Sequence, residues 1–226
     1  MTDRGLKKRL LSVAEFVREG AVFADIGTDH GHLPIALISS GKISRAVCTD
    51  INQGPLSVAI ANAHAAGVDD KMDFFISDGF DAFGNFTFTD AAICGMGGEL
   101  ILNIITRAVS RLCNPGINLI LQPMSRVSVL RRGLLDLGFM IIEESYSSEN
   151  GKYYVCMNVR YGANTCDADD VELGLLATRV KLNEAERGYL ITKRRSLKKS
   201  IDGILKSGKD ASDKTELLLK IDQILN

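Results

Sequence analysis

The chain has 226 residues, a formal net charge of −1 and 46% hydrophobic residues. That length suits one good-sized domain or one domain with an appendage, and the apolar content suffices for an ordinary packed core. The near-neutral balance excludes a globally basic nucleic-acid binder, so a polyanion must be met by a local patch. No apolar run reaches the roughly 18–20 residues of a membrane span, and the N-terminus lacks a signal-peptide core. The five cysteines (Cys48, Cys94, Cys113, Cys156, Cys166) form no Cys-x-x-Cys pair. Reduced thiols in a cytoplasmic protein are expected, rather than a disulfide or zinc framework.

In chain order, Leu6, Leu10, Val13 and Val17 fall at helical spacing and predict a helix over about 4–18. Strand and helix signals then alternate. Strands are expected at Val22–Ile26, Arg45–Thr49, Met72–Ser77, Ala91–Cys94 and Gly116–Gln122. The intervening helices are expected at Leu33–Ser40, Leu56–Ala66, Glu99–Leu112 and Val127–Leu137. Short apolar strands alternating with helices imply a parallel sheet covered on both faces. Two further strand-like runs, Phe139–Ser147 and Tyr153–Tyr161, flank Asn150-Gly151, a hairpin turn signal. The expected fold is therefore α/β, a Rossmann-like seven-stranded, mostly parallel sheet ending in an antiparallel hairpin, as in class I methyltransferases.

After Gly162 the composition changes. Asn164–Asp170 is polar and acidic, as in a linker or a helix start. From Val171 onward helix formers dominate, with Leu175, Leu182 and Tyr189 every seven residues and a break at Gly208. This predicts a helical hairpin, coiled-coil-like, as a second domain over 163–226 beside a first over 1–162.

The residues that carry chemistry begin with Ala24-Asp-Ile-Gly-Thr-Asp-His-Gly-His-Leu-Pro34. Gly27 lets the backbone pass close to a ligand, and Gly31 can do so at the helix start. Backbone N–H groups there can serve a carboxylate. Asp25 sits at a strand end, where it can meet an amino group. Asp50, closing the next strand, is placed to accept from two ribose hydroxyls. Asp78, at the third strand end, is placed near an adenine edge. Three acids at three successive strand ends point to S-adenosylmethionine, with Thr28, Asp29, His30, Ile51, Asn52, Gly79, Cys94 and Gly95 beside them in the cofactor site. The alternative reading is a set of ordinary loop carboxylates capping helices. NAD is disfavoured because Gly-x-Gly-x-x-Gly is absent, and a P-loop because no Gly-Lys-Ser/Thr follows a glycine loop.

Cys94-Gly-Met-Gly-Gly-Glu99 follows the fourth strand, which in this topology ends beside the transferable methyl group. Its glycines admit a flat substrate; a tight turn with Met96 as packing is the plainer alternative. No Asn/Asp-Pro-Pro-aromatic loop for exocyclic amines and no Pro-Cys nucleophile is present. Gly95, Met96 and Gly97 are expected to line the base slot, with His32 and Gln122 flanking the base and Asp29 the carboxylate nearest the chemistry. A metal site at His30, His32 and Asp29 lacks further ligands, so no metal is expected. Two cationic clusters, Arg4, Lys7, Lys8 and Arg9, and Lys193, Arg194, Arg195, Lys198 and Lys199, read either as solvated helix faces or as phosphate contacts.

With these blocks in view, the chain resembles the bacterial tRNA (adenine-22-N1)-methyltransferases, the TrmK family. The resemblance rests on Ala24–Pro34, Asp50–Leu56, Ile93–Gly98, Leu121–Pro123 and Asn150–Tyr154, and extends to the helical tail. It implies methylation of N1 of an adenine in the D-arm region of tRNA, with the tail helping to hold the RNA. Two positions depart from the family pattern: His32, often tyrosine, and Met124, where asparagine usually follows Gln-Pro. Both bear on pocket contacts more than on cofactor use. Another RNA, a protein or a small molecule is the alternative substrate on the same fold. The expected assembly is a monomer or weak dimer, without membrane contact.

Overall fold

The computed structural model describes residues 6–84, 86–162 and 170–226. Arg4, Cys166 and most of the expected linker lie outside them, as does the expected boundary at 162/163.

Seven strands form one sheet: β1 (Val22–Ile26), β2 (Arg45–Asp50), β3 (Met72–Ile76), β4 (Asp90–Gly97), β5 (Asn118–Ser125), β6 (Phe139–Glu149) and β7 (Lys152–Tyr161). Their order is β3-β2-β1-β4-β5-β7-β6. β1 to β5 are mutually parallel, and β7 inserts antiparallel between β5 and β6. Asn150 and Gly151, both at positive φ (51° and 73°), close the β6–β7 hairpin.

The helices are α1 (Lys8–Phe16), α2 (His32–Ser39), α3 (Gln53–Ala66), α4 (Gly98–Arg107), α5 (Val109–Leu112), α6 (Val127–Asp136), α7 (Glu184–Lys206) and α8 (Ser212–Leu225). The period of two along each strand sorts the core into two layers. Phe23, Cys48, Ala92 and Ile120 face α1 and α2, while Ala24, Val47, Ile93 and Leu121 face α4, α6 and the tail. By the same alternation Asp25, Cys94 and Gln122 share the first face.

Helix α1 crosses that face over β5–β7. Its C-terminal end is tied down where β4 and β5 begin: Asn118 Nδ2 donates to the Phe16 carbonyl at 3.0 Å, and Arg18 Nε donates to buried Asp90 at 2.8 Å. Its other end therefore lies at the carboxyl ends of the strands, where Arg9 Nη1 donates to Gln122 Oε1 at 3.0 Å. About eight residues at 1.5 Å each span roughly the length of a five-residue strand segment.

Two expectations are corrected. The glycine run after Cys94 is not a turn: β4 continues to Gly97 through register shifts against β5 at Cys94, Met96 and Gly97. Nor is the tail helical from Val171. Gly174–Thr178 is a 3-10 turn, Leu182 precedes any helix, and α7 starts where Asn183 and Glu186 form a reciprocal capping box. The heptad of Leu175, Leu182 and Tyr189 thus spans three different local structures.

α7 and α8 form an antiparallel pair, with Arg194 on Asp222 at 3.1 Å and Lys214 Nζ on Ser200 Oγ at 2.7 Å. A Schellman arrangement ends α7, Gly208 N–H reaching Leu205 O and Lys209 N–H reaching Ile204 O. The tail shares the sheet's core: Leu173, Leu176, Leu190, Ile221 and Leu225 join the α4–α6 layer. A Cβ at Gly188 would collide with the Tyr153 ring, so α7 lies directly on β7.

A buried charge network closes this joint. Arg131 of α6 and Glu144 of β6 are 1% and 0% exposed and pair at 2.8 Å. The Tyr146 hydroxyl accepts from Arg131 Nη2 and donates to Glu144 Oε2. Leu175 N–H also donates to Glu144 Oε2, and Arg131 Nη1 donates to the Val171 and Glu172 carbonyls. Two ions taken from water are tolerable only when every polar atom is so met.

Candidate active site

At the carboxyl ends of β1, β2 and β4 lies a cavity of about 360 Å³. Open α/β sheets bind ligands at this edge, outside the point where strand order reverses. Asp25, Gly27, Thr28, Asp29, His30, His32, Asp50, Cys94, Gly95 and Met96 line it, with Lys7, Arg9 and Leu10 from the α1 end and Leu33 from α2.

The loop after β1 turns sharply. Gly27, Asp29 and Gly31 all have positive φ, 72°, 54° and 70°. Asp is one of the few side-chain-bearing residues that tolerate this region, and such strain gathers at functional sites. The N–H groups of Gly27 and Thr28 both donate to Thr49 O at 2.8 Å, pinning the loop to β2. A Cβ on Gly27 would collide with Met96 Cε, so the two glycine-rich segments meet across the cavity. Gly31 N–H donates to Thr28 O. The first-turn amides of His32 and Leu33 are thus the next donors along α2, as Pro34 has none.

Three carboxylates enter the cavity. Asp25 is 5% exposed and accepts from the Thr28 hydroxyl at 2.6 Å. Burial, with repulsion from Asp29 and Asp50, pushes its carboxyl from the ordinary 3.8 up to about 6, against the pull of the Thr28 bond. Asp50 accepts from Asn52 N–H at 2.9 Å and from Asp29 N–H at 3.4 Å, one bond on each oxygen. These bonds fix its plane and leave lone pairs open to a ligand. Asp29 lies 3.6 Å from His30 Nδ1. Among the described residues neither Asp25 nor Asp50 has a cationic partner. Burial, reinforced by Asp25, raises the half-buried Cys94 thiol far above the thiol range, so it is not an activated nucleophile here.

S-adenosylmethionine carries a sulfonium, an ammonium, a carboxylate and two ribose hydroxyls. The fit is good: the buried, unpaired Asp25 for a cation, an Asp50 with free lone pairs for the hydroxyls, and a glycine turn that a side chain would fill.

Not every expected residue joins the cavity. Asp78 instead accepts from Arg107 Nη1 at 2.7 Å, an ion pair that lowers its carboxyl below the usual range. Gly79 is a packing position, where a Cβ would press on Ile104. Ile51 and Asn52 adjoin Asp50 without lining the cavity, Gly31 backs on Ala59, and Gly97 faces Ser125. Gln122 is fully buried behind Arg9 and donates to the Pro123 carbonyl, so this geometry offers it no direct base contact. His30 and His32 pack edge to face, 5.7 Å apart. No group of three or more metal-ligating side chains occurs among the described residues, and none of their helices is long and apolar enough to cross a membrane.

Of the basic residues, Arg9 and Lys7 reach the cavity while Lys8 does not. Arg9 precedes Leu10 on the apolar stripe, a boundary position that is the sequence signal for an inward-leaning cation. On the tail, Lys193 pairs with Glu172 at 2.7 Å and Arg194 with Asp222. Arg195, Lys198 and Lys199 remain exposed.

Known proteins share this fold. A family model described as a methyltransferase domain matches residues 6–157. The tRNA (adenine(22)-N(1))-methyltransferase of Bacillus subtilis is 31% identical over 173 residues, 76% of this chain and 72% of its own. A crystal structure of a putative tRNA (m1A22) methyltransferase of Streptococcus pneumoniae superposes with a TM-score of 0.86 at 32% identity, covering 98% of this chain and all of the other. The same protein in complex with S-adenosyl-L-methionine gives 0.85 at 31% identity, with the same coverage.

Proposed function

Because the chain belongs to the tRNA (adenine(22)-N1)-methyltransferase family, we propose that it transfers a methyl group from S-adenosylmethionine to N1 of adenine 22 of tRNA, in the D-arm region. The observation that carries this reading is the pair of unpaired carboxylates, Asp25 and Asp50, facing one cavity over the β1 glycine turn. tRNA places the reaction in the cytoplasm.

S-adenosylmethionine supplies the electrophilic methyl group when bound. Asp50, held by the Asn52 and Asp29 amides, accepts from the ribose hydroxyls. Asp25 meets the ammonium, directly or through water, and that cation favours its ionised form. The α2 first-turn amides face the methionine carboxylate. Gly95 keeps one wall free of bulk for a flat base, and His32, exposed at the rim, stacks on it. N1 of adenine carries its own lone pair, so no side chain has to remove a proton before transfer. The protein's work is to unstack the base and hold it, and such positioning can supply roughly 7–11 kcal/mol in well-ordered cases. The exposed cations of α7 and the α1 cluster meet the RNA backbone.

The test is transfer of labelled methyl from S-adenosylmethionine to bulk tRNA, followed by digestion to nucleosides. The reading requires 1-methyladenosine. No transfer, or label on another base or atom, overturns it.

A further inference from the structure

The cavity is divided by charge. Asp25 and Asp50 belong to β1 and β2, whereas the cations, Arg9 and Lys7, come from the α1 end. Arg9 is held on the same face of the sheet but further along it, over β4 and β5. Its Nη1 donates to Gln122 of β5, and the open edge of Gly95, on β4, lies beside the same nitrogen. In the order β2-β1-β4-β5, strands about 4.8 Å apart put β5 roughly 10 Å from β1 and roughly 14 Å from β2. Arg9 thus stands away from the acids, beside the open edge of Gly95.

Among the described residues, its partners leave donors free. A guanidinium has five N–H donors in a planar fork; Gln122 takes one, and no carboxylate pairs with Arg9 among the described residues. Gln122 is itself buried, with its amide nitrogen bonded to the Pro123 carbonyl, so it anchors one edge of the fork and leaves the rest directed elsewhere. An anchored guanidinium suits bidentate capture of an oxyanion. Two oxyanions can come near: the methionine carboxylate and a phosphodiester of the RNA. The carboxylate has the α2 amides on the β1 side, so the phosphodiester remains. A base turned out of its stack brings its flanking phosphates to the mouth of the pocket.

We propose that Arg9, braced by Gln122 and assisted by Lys7, clamps a phosphate flanking the target adenosine, making the far wall of the cavity a nucleotide-phosphate subsite. This rests on the tRNA reading and deepens it: α1 is part of the substrate site, and Gln122 acts as a positioning residue through Arg9.

The test compares wild type with Arg9→Ala and Arg9→Lys, first in calorimetric titration with S-adenosylhomocysteine and then, loaded with it, in tRNA binding across a salt series. Arg9→Ala should leave S-adenosylhomocysteine affinity within twofold, which also shows that it is folded. It should weaken tRNA about tenfold to a hundredfold and lower the salt slope by roughly 0.7–0.9. Arg9→Lys should restore the slope but not the full affinity. In a second arm, tRNA with a neutral methylphosphonate at a phosphate flanking the target should bind wild type as weakly as Arg9→Ala binds normal tRNA, and the combination should show no further loss. Loss of S-adenosylhomocysteine affinity would assign Arg9 to the methionine carboxylate and overturn the proposal. So would unchanged tRNA affinity in Arg9→Ala, or additive losses in the combination. If wild type itself neither binds nor methylates tRNA, the functional reading falls as well; if it does both and Arg9→Ala matches it, only this inference falls.

Discussion

The cavity and the joint beneath the tail treat charge in opposite ways. At the joint, Arg131, Glu144 and Tyr146 are buried and bonded to one another and to the backbone of 171–175. In the cavity, Asp25, Asp29 and Asp50 crowd like charges together, and Asp25 and Asp50 meet no cation among the described residues. A closed network fixes one geometry and offers nothing to a ligand. An open set of carboxylates costs stability and leaves binding capacity for a cation.

The contrast can be broken at four places. The largest effect should follow Arg131→Met. It strands Glu144 without its counter-ion, and breaking a buried pair from one side costs about 3–5 kcal/mol. Urea unfolding should show that loss, while cofactor affinity of the folded fraction stays at the parental value. A loss below 1 kcal/mol would mean the joint is not closed as described.

Asp25→Asn should go the other way. A carboxyl whose folded pKa lies above its unfolded value binds its proton more tightly in the folded state. Its destabilising effect is therefore absent below the unfolded value, near 3.8, and fully present above the folded value, near 6. At pH 7 the asparagine variant should be more stable by on the order of 2–3 kcal/mol, an advantage that shrinks as pH falls through 6 towards 4. The same variant should bind S-adenosylmethionine more weakly. A stability difference independent of pH between 4.5 and 7.5 would remove the strain assigned to Asp25.

Asp50→Ala should weaken S-adenosylmethionine by roughly 1.5–3 kcal/mol, the value of hydrogen bonds to a carboxylate, with little change in stability. Equal calorimetric affinities for variant and parent would take Asp50 out of the ribose role.

The smallest effect separates the tail cations. Replacing Arg195, Lys198 and Lys199 together by alanine should lower the salt slope of tRNA binding by up to about 0.7–0.9 per lost contact. Replacing Lys193 and Arg194 should lower it less, since both already serve Glu172 and Asp222. Alanine keeps helix propensity, and cofactor affinity should not move in either variant. Parental slopes in both would leave the hairpin as a packing appendage.

Much of this was legible in the sequence because it is local. Apolar runs ending in acids placed the ends of β1 and β2 within a residue, and Asn150-Gly151 announced the hairpin. The departures have non-local causes. The glycines after Cys94 read as a turn because their pairing with β5 through bulges depends on partners 27–28 residues further along the chain. Leu175 and Leu182 matched a heptad by spacing alone, whereas the Asn183–Glu186 capping box was the available signal for the start of α7. Asp78 looked like a third ligand acid until Arg107, on α4, was brought beside it. Arg131 and Glu144, charged residues on a helix and an edge strand, carry no sequence mark of burial; only the docked tail makes them interior.

Methylation of N1 of one adenine in tRNA by this cavity can be read out by primer extension. A methyl on N1 blocks the Watson–Crick edge and stops reverse transcription at the modified base. After incubation with S-adenosylmethionine, unmodified tRNA should acquire one new stop at position 22, as the family assignment requires. The stop should vanish when that adenine is replaced by guanine, and weaken sharply with Asp50→Ala at limiting cofactor. A tRNA that gains no stop, or gains it at another position, would contradict the account.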